Sequence, residues 1–244
     1  YLGFMVLRPL PQARIGRSVI KPYVRPANDD KARDVLRLRR SATYQLHYAG
    51  FPLQGEGVAF QQQDRGTSAC ATTALWTAIQ GMDGPRLRQI PPIQITRLAN
   101  RAESPDGRAL PTQGLTFAQM LEALRGLGLE SFPHRAIDIT STVGMLHLAI
   151  RSRLPAIAIL APTNGEPGLH AVTILGGREA HGTPPIELQP DTGSRARHLQ
   201  ALYLHDDRLG PYVRANLHAL SRDDASAPLL EYIDDNYPRR ADHG

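Results

Sequence analysis

The order of the hydrophobic periodicities constrains this chain more than any other feature. Apolar residues recur at helical spacing over Ala69–Gln80, Gln94–Ala102, Thr116–Leu127 and Ile139–Arg151, the third carrying Phe117, Met120, Leu121 and Leu124 on one face. After Pro155 the pattern changes to short β-rich runs at Ala156–Leu160, His170–Leu175, Ile186–Leu188, Leu202–His205 and Tyr212–Ala215. Helices first and strands afterwards, with no strand–helix–strand alternation, exclude a doubly wound parallel sheet and predict an α+β fold with an antiparallel sheet.

The segment before the helices reads differently. Gly3–Leu7 and Arg17–Ile20 are β-rich, Pro9, Pro11, Pro22 and Pro26 break the chain between and after them, and Tyr44, Leu46 and Tyr48 alternate as in a half-buried strand. The charged stretch Asp29–Arg40, free of Pro and Gly, is expected to form a short exposed helix. Residues 1–58 are therefore taken as an extension of short strands and turns, 59–220 as the core and 221–244 as a polar tail.

Composition narrows the classes. The longest purely apolar run, Ala156–Ala161, is far too short for the ~20 residues of a membrane-spanning helix. The single Cys cannot form an internal disulfide, which favours a reducing compartment, and the cytoplasm is the expected location. The chain opens Tyr-Leu-Gly-Phe, without Met and without a basic region followed by an apolar one, as a processed or excised piece of a longer chain would. The formal charge of +5 comes almost entirely from Arg, since only Lys21 and Lys31 are Lys. The Arg residues are scattered rather than clustered or interleaved with aromatics, so nucleic acid is not an expected partner.

Three residues could carry chemistry. Ser68 is placed to cap the helix that follows, which puts Cys70 in its first turn, where the peptide dipoles favour a thiolate. Cys70 also sits among Ala and Thr, the setting of an inert buried thiol. His170 opens the apolar strand Ala171-Val172-Thr173-Ile174-Leu175, from which an imidazole could project into a cleft or simply cap the core. Asp206 closes the next strand, where a carboxylate could reach the ring or only shape a turn. Together they match the needs of a cysteine hydrolase: a nucleophile, a base, a group that orients the base, and an oxyanion donor. His198, His205, Asp206 and Asp207 lack the His-x-x-x-His or Cys-x-x-Cys spacing of a metal centre, so no metal and no cofactor are expected.

The stretches Gln63-Asp64-Arg65-Gly66-Thr67-Ser68-Ala69-Cys70-Ala71-Thr72-Thr73-Ala74-Leu75, Gly168-Leu169-His170-Ala171-Val172-Thr173-Ile174-Leu175-Gly176-Gly177 and Leu202-Tyr203-Leu204-His205-Asp206 resemble papain-like cysteine peptidases, and among them the bacterial C39-like group. The resemblance runs from about Gln61 to Tyr212. It implies a helical part with the nucleophile at a helix N-terminus, packed on an antiparallel sheet that carries His and Asp. It further implies Cys70 as nucleophile, His170 as general base and acid, Asp206 as orienting carboxylate, and Gln63 with the Cys70 backbone N–H as oxyanion hole. A peptide or protein substrate follows, cleaved at a peptide or isopeptide bond. With no membrane span, a soluble enzyme is expected rather than the exporter-linked members that clip leader peptides.

Two departures leave alternatives open. The family places its Gln where this chain has Asp64, so Gln63 fits only with an extra loop residue, and Gln62 is the fallback. Asp191 competes with Asp206 as third member, whereas Asp207 would face away if its strand continued. An inactive papain-like binding or scaffold module, and an acyl-transferring or deamidating effector, are the alternative functions.

Overall fold

A computed structural model of the chain describes residues 1–11, 13–22, 35–38, 41–63, 69–82, 84–102, 114–161, 168–179, 195–219 and 228–232. Two antiparallel hairpin-like pairs come first: β1 (Gly3–Leu7) with β2 (Ile15–Ile20), and β4 (Ala42–Tyr48) with β5 (Phe51–Gly57). Between them lies β3 (Val35–Leu38). Five helices follow: α1 (Cys70–Gln80), α2 (Pro85–Arg88), α3 (Pro92–Ala99), α4 (Phe117–Gly126) and α5 (Ile139–Arg151). The chain then becomes β-structure in β6 (Ala156–Leu160), β7 (His170–Glu179), β8 (Leu199–Asp206), β9 (Gly210–Ala219) and β10 (Pro228–Tyr232).

The main sheet is six-stranded and antiparallel, as the order of helices and strands predicts, with β10, β9, β8 and β7 side by side. The free edge of β7 is shared end to end: β6 pairs with its first half, from His170 to Ile174, and β3 with its second, from Gly176 to Glu179. This corrects the expectation of a helix in the charged stretch: residues 35–38 are a sheet strand, and the rest of Asp29–Arg40 lies outside the described residues. Pairing against the exposed backbone edge of β7 overrides the local helix preference of Leu and Arg there. Residues 228–232, within the polar tail of the sequence reading, likewise join the sheet as β10, while the expected strand Ile186–Leu188 lies outside the described residues.

Two apolar layers cover the two faces of the sheet. Period-2 alternation along β7 sends Ala171 to one side, against α1, α3 and α4, and Val172 and Ile174 to the other, against α5. Helix α1 is buried along its whole length after Cys70, with Leu75, Trp76 and Ile79 at 1% exposure or less. Such all-round burial marks a central core helix. Its neighbours are set by local signals. Thr116 and Gln119 form a reciprocal capping box on α4, and Asp138 caps α5 through the Ser141 N–H at 2.8 Å. At Gly177 a Cβ would meet the side-chain ends of Leu199 and Ile150, which pack directly over the glycine. No helix among the described residues is long and apolar enough to cross a membrane.

The first sixty residues also pack on the core. Val19 of β2 is buried in the α1 layer, the Arg17 guanidinium stands 5.1 Å over the Trp76 ring, and Ser18 and Phe60 exchange backbone hydrogen bonds at 2.8 and 2.9 Å.

Candidate active site

Cys70 is the first residue of α1 and a free, half-buried thiol. The N-cap position is Ala69, which offers no side-chain hydrogen bond, so the cap is not the expected Ser68, itself outside the described residues. A hydrogen bond then locks helix to sheet: the Thr173 hydroxyl donates to the Ala74 carbonyl at 2.8 Å in a buried setting. Ala74 lies one helical turn beyond Cys70 and Thr173 lies three residues beyond His170, so this bond fixes thiol and imidazole relative to each other.

His170 is the first residue of β7 and only 7% exposed. Its Nε2 lies 3.0 Å from Asp206 Oδ1. Asp206 ends β8, and the same oxygen accepts the backbone N–H groups of Arg208, at 2.8 Å, and Leu209, at 3.3 Å. One carboxylate therefore shapes the turn into β9 and holds the ring. Gly210, with φ +143°, closes that turn and pairs with Asp206. With Nε2 committed to the carboxylate, the buried Nδ1 is the nitrogen left for the thiol. Thiol and imidazole act on each other by hydrogen bonding and by charge.

The electrostatics favour an ion pair. Burial pushes the Cys70 thiol up, but the His170 imidazole, the Ala171 backbone N–H and the imidazolium charge together hold it below its ordinary value. Burial pushes His170 down, yet Asp206, the thiol and Asp207 raise it to about 9. The lowered thiol and the raised imidazole both shift the pair toward the thiolate–imidazolium form.

Asp207 departs from the sequence reading. Because β8 ends at Asp206, the alternation that would turn Asp207 away does not apply, and its Oδ1 lies 3.7 Å from His170 Nε2. Burial raises its carboxyl to about 6. His170, Asp206 and Asp207 bring one donor atom each within 4.8 Å, a spacing that a divalent cation could bridge. Asp206 Oδ1 already accepts two backbone N–H groups, so a cation on that oxygen would meet protons aimed at the same lone pairs.

The glutamines separate. Gln62 is bound to β2: its Oε1 accepts the Ile15 N–H at 2.9 Å, and its own N–H donates to the Ile15 carbonyl at 2.9 Å. Gln63 is half-buried, and its buried Oε1 accepts no hydrogen bond among the described residues. Asp64 and Asp191 lie outside the described residues, as do residues 65–68 between Gln63 and α1. His198 is half-buried and ends the 3-10 turn before β8, and the His205 ring stacks edge-on between Phe60 and Tyr212, at 5.3 and 4.7 Å. Tyr212, whose φ is +56°, accepts the Val58 N–H on its hydroxyl at 3.1 Å, tying the β8–β9 turn to the segment that leads to Gln63. Nothing in the sequence separation of Val58 and Tyr212 announces that tie. No protein-family model matches the chain, and no curated protein matches it.

Proposed function

We propose that the chain is a papain-like cysteine hydrolase of C39-like type that cleaves peptide or isopeptide bonds through an S-acyl-enzyme intermediate. The observation that carries this reading is a helix-start thiol beside a buried imidazole whose far nitrogen lies 3.0 Å from a buried carboxylate. The Cys70 thiolate attacks the substrate carbonyl carbon, and a C–S bond forms while the carbonyl oxygen gains charge. The Cys70 N–H and the Gln63 side-chain N–H stabilise that oxyanion, Gln62 being held on Ile15 of β2 through its side-chain oxygen. The imidazolium then gives its Nδ1 proton to the leaving nitrogen as the C–N bond breaks. In the second half, His170 takes a proton from water, hydroxide adds to the thioester carbonyl, and the C–S bond breaks to restore the thiolate. Asp206 keeps the Nε2 proton in place throughout.

No cofactor takes part in this scheme, and the partner is a peptide or protein substrate. A free catalytic thiol suits a reducing, cytoplasmic setting.

The test is acid-quench mass spectrometry of the chain with a library of peptidyl amides and isopeptides. The expected result is turnover with a thioester on Cys70, both lost in Cys70→Ala. A chain that binds peptides equally well with Cys70→Ala and never acylates would instead be an inactive binding module.

A further inference from the structure

The site holds one more ionisable group than the hydrolase scheme uses. The Asp207 side chain is 2% exposed, and neither of its oxygens makes a hydrogen bond among the described residues. A carboxyl that carries no structural hydrogen bond is held there against its desolvation cost, so its neighbours define what it does. They are His170 on β7 at 3.7 Å, Asp206 at the end of β8, Arg208 in the same turn and Cys70 on α1, which feels its charge.

We propose that Asp207 is a positioning residue for the Cys70–His170 pair: a second carboxyl on the Nε2 edge of the ring, which exchanges one proton with solvent and, once ionised, holds the imidazolium jointly with Asp206. The proposal rests on the hydrolase reading of this site. Two carboxyls with their oxygens about one imidazole edge repel each other, which favours a proton on the one with no backbone donors to its oxygens. Asp206 has the Arg208 and Leu209 N–H groups on its Oδ1, so the proton belongs to Asp207. Burial and the Asp206 charge outweigh His170, Arg208 and its own backbone amide, and Asp207 ionises at about 6. Its charge then acts in opposite senses on the pair, raising His170 and opposing the Cys70 thiolate. Below that pH the thiolate is the better stabilised partner, and above it the imidazolium is. Asp207 thereby extends the imidazolium, the proton donor to the leaving group, toward the alkaline side.

The experiment is an NMR pH titration of the ring nitrogens of His170 in the full chain labelled with 15N-histidine, the signals assigned by their loss in His170→Ala. The wild type is expected to show a main step near 9 and a smaller inflection near 6. In Asp207→Asn the inflection vanishes and the main step falls by about one unit. A wild-type His170 curve with no inflection between pH 5 and 7 overturns the proposal without any variant, and so does a folded Asp207→Asn chain with the wild-type profile. Cys70→Ala separates this from failure of the hydrolase reading. If that variant lowers the main His170 step while Asp207→Asn changes nothing, the Asp207 role alone is refuted. A His170 that titrates at its ordinary value and ignores Cys70→Ala refutes both.

Discussion

Two buried histidine–carboxylate pairs stand at opposite ends of β7. At its first residue, His170 Nε2 lies 3.0 Å from Asp206 Oδ1; at its last, Glu179 Oε1 lies 3.4 Å from His147 Nε2 of α5. Both pairs are shielded from water, with side-chain exposures of 9% and 2% in the first and 15% and 11% in the second. A buried histidine with an acid beside it is thus no signature of chemistry by itself. The first pair adjoins a helix-start thiol, a second carboxyl and two backbone N–H groups on its acceptor oxygen. The second joins α5 to the sheet near Gly177, over which the Ile150 side chain of α5 packs.

The comparison can be broken most forcefully at Asp206. Asp206→Asn should lower turnover by roughly 10²–10⁴-fold, because the amide can present its NH₂ to Nε2 and reverse the ring's tautomer. Glu179→Gln should leave turnover and Cys70 alkylation at their wild-type values. The same loss of rate from both variants would show that the two ends of β7 are not distinct in kind.

Stability should divide the other way. Glu179→Ala removes a buried acceptor that links helix and sheet, and it should cost about 1–3 kcal/mol in urea unfolding at pH 7. Asp207→Asn should stabilise. Its carboxyl titrates at about 6 in the fold against an ordinary 3.8, so the folded state binds that proton more tightly than the unfolded chain. Stability contributed by the proton is present below the ordinary value and lost as the pH rises through about 6. The Asn variant should accordingly gain about 1–2 kcal/mol at pH 8, part of the shift being offset by the amide's own unmet hydrogen bonds, with the gain shrinking toward pH 4.5. A gain that is the same at both pH values would assign it to packing instead.

The sequence shows the parts of the site that obey local rules. Cys70 at a helix start, His170 at a strand start and Asp206 at a strand end follow from periodicity alone, and α5 and β6 fall where their apolar patterns put them. The Thr116–Gln119 box, similarly, is a local signal that lies in four consecutive residues. What local rules miss is decided by distant partners. Residues 35–38 carry helix-forming Leu and Arg, but an open edge of β7 makes them a strand. Asp207 is turned toward His170 because β8 stops one residue earlier, and a parity argument has no means of locating that stop. His147 and Glu179 meet only because α5 and β7 stack, so neither is marked in the sequence as half of a pair.

The central claim is that Cys70 and His170 form one acid–base unit, and the pH dependence of Cys70 alkylation by iodoacetamide in the wild type and in His170→Ala tests it most directly. The account predicts a wild-type thiol that reacts well below the unperturbed ~8.5 and returns toward that value in the variant. A thiol that is slow until alkaline pH and indifferent to His170 would contradict it.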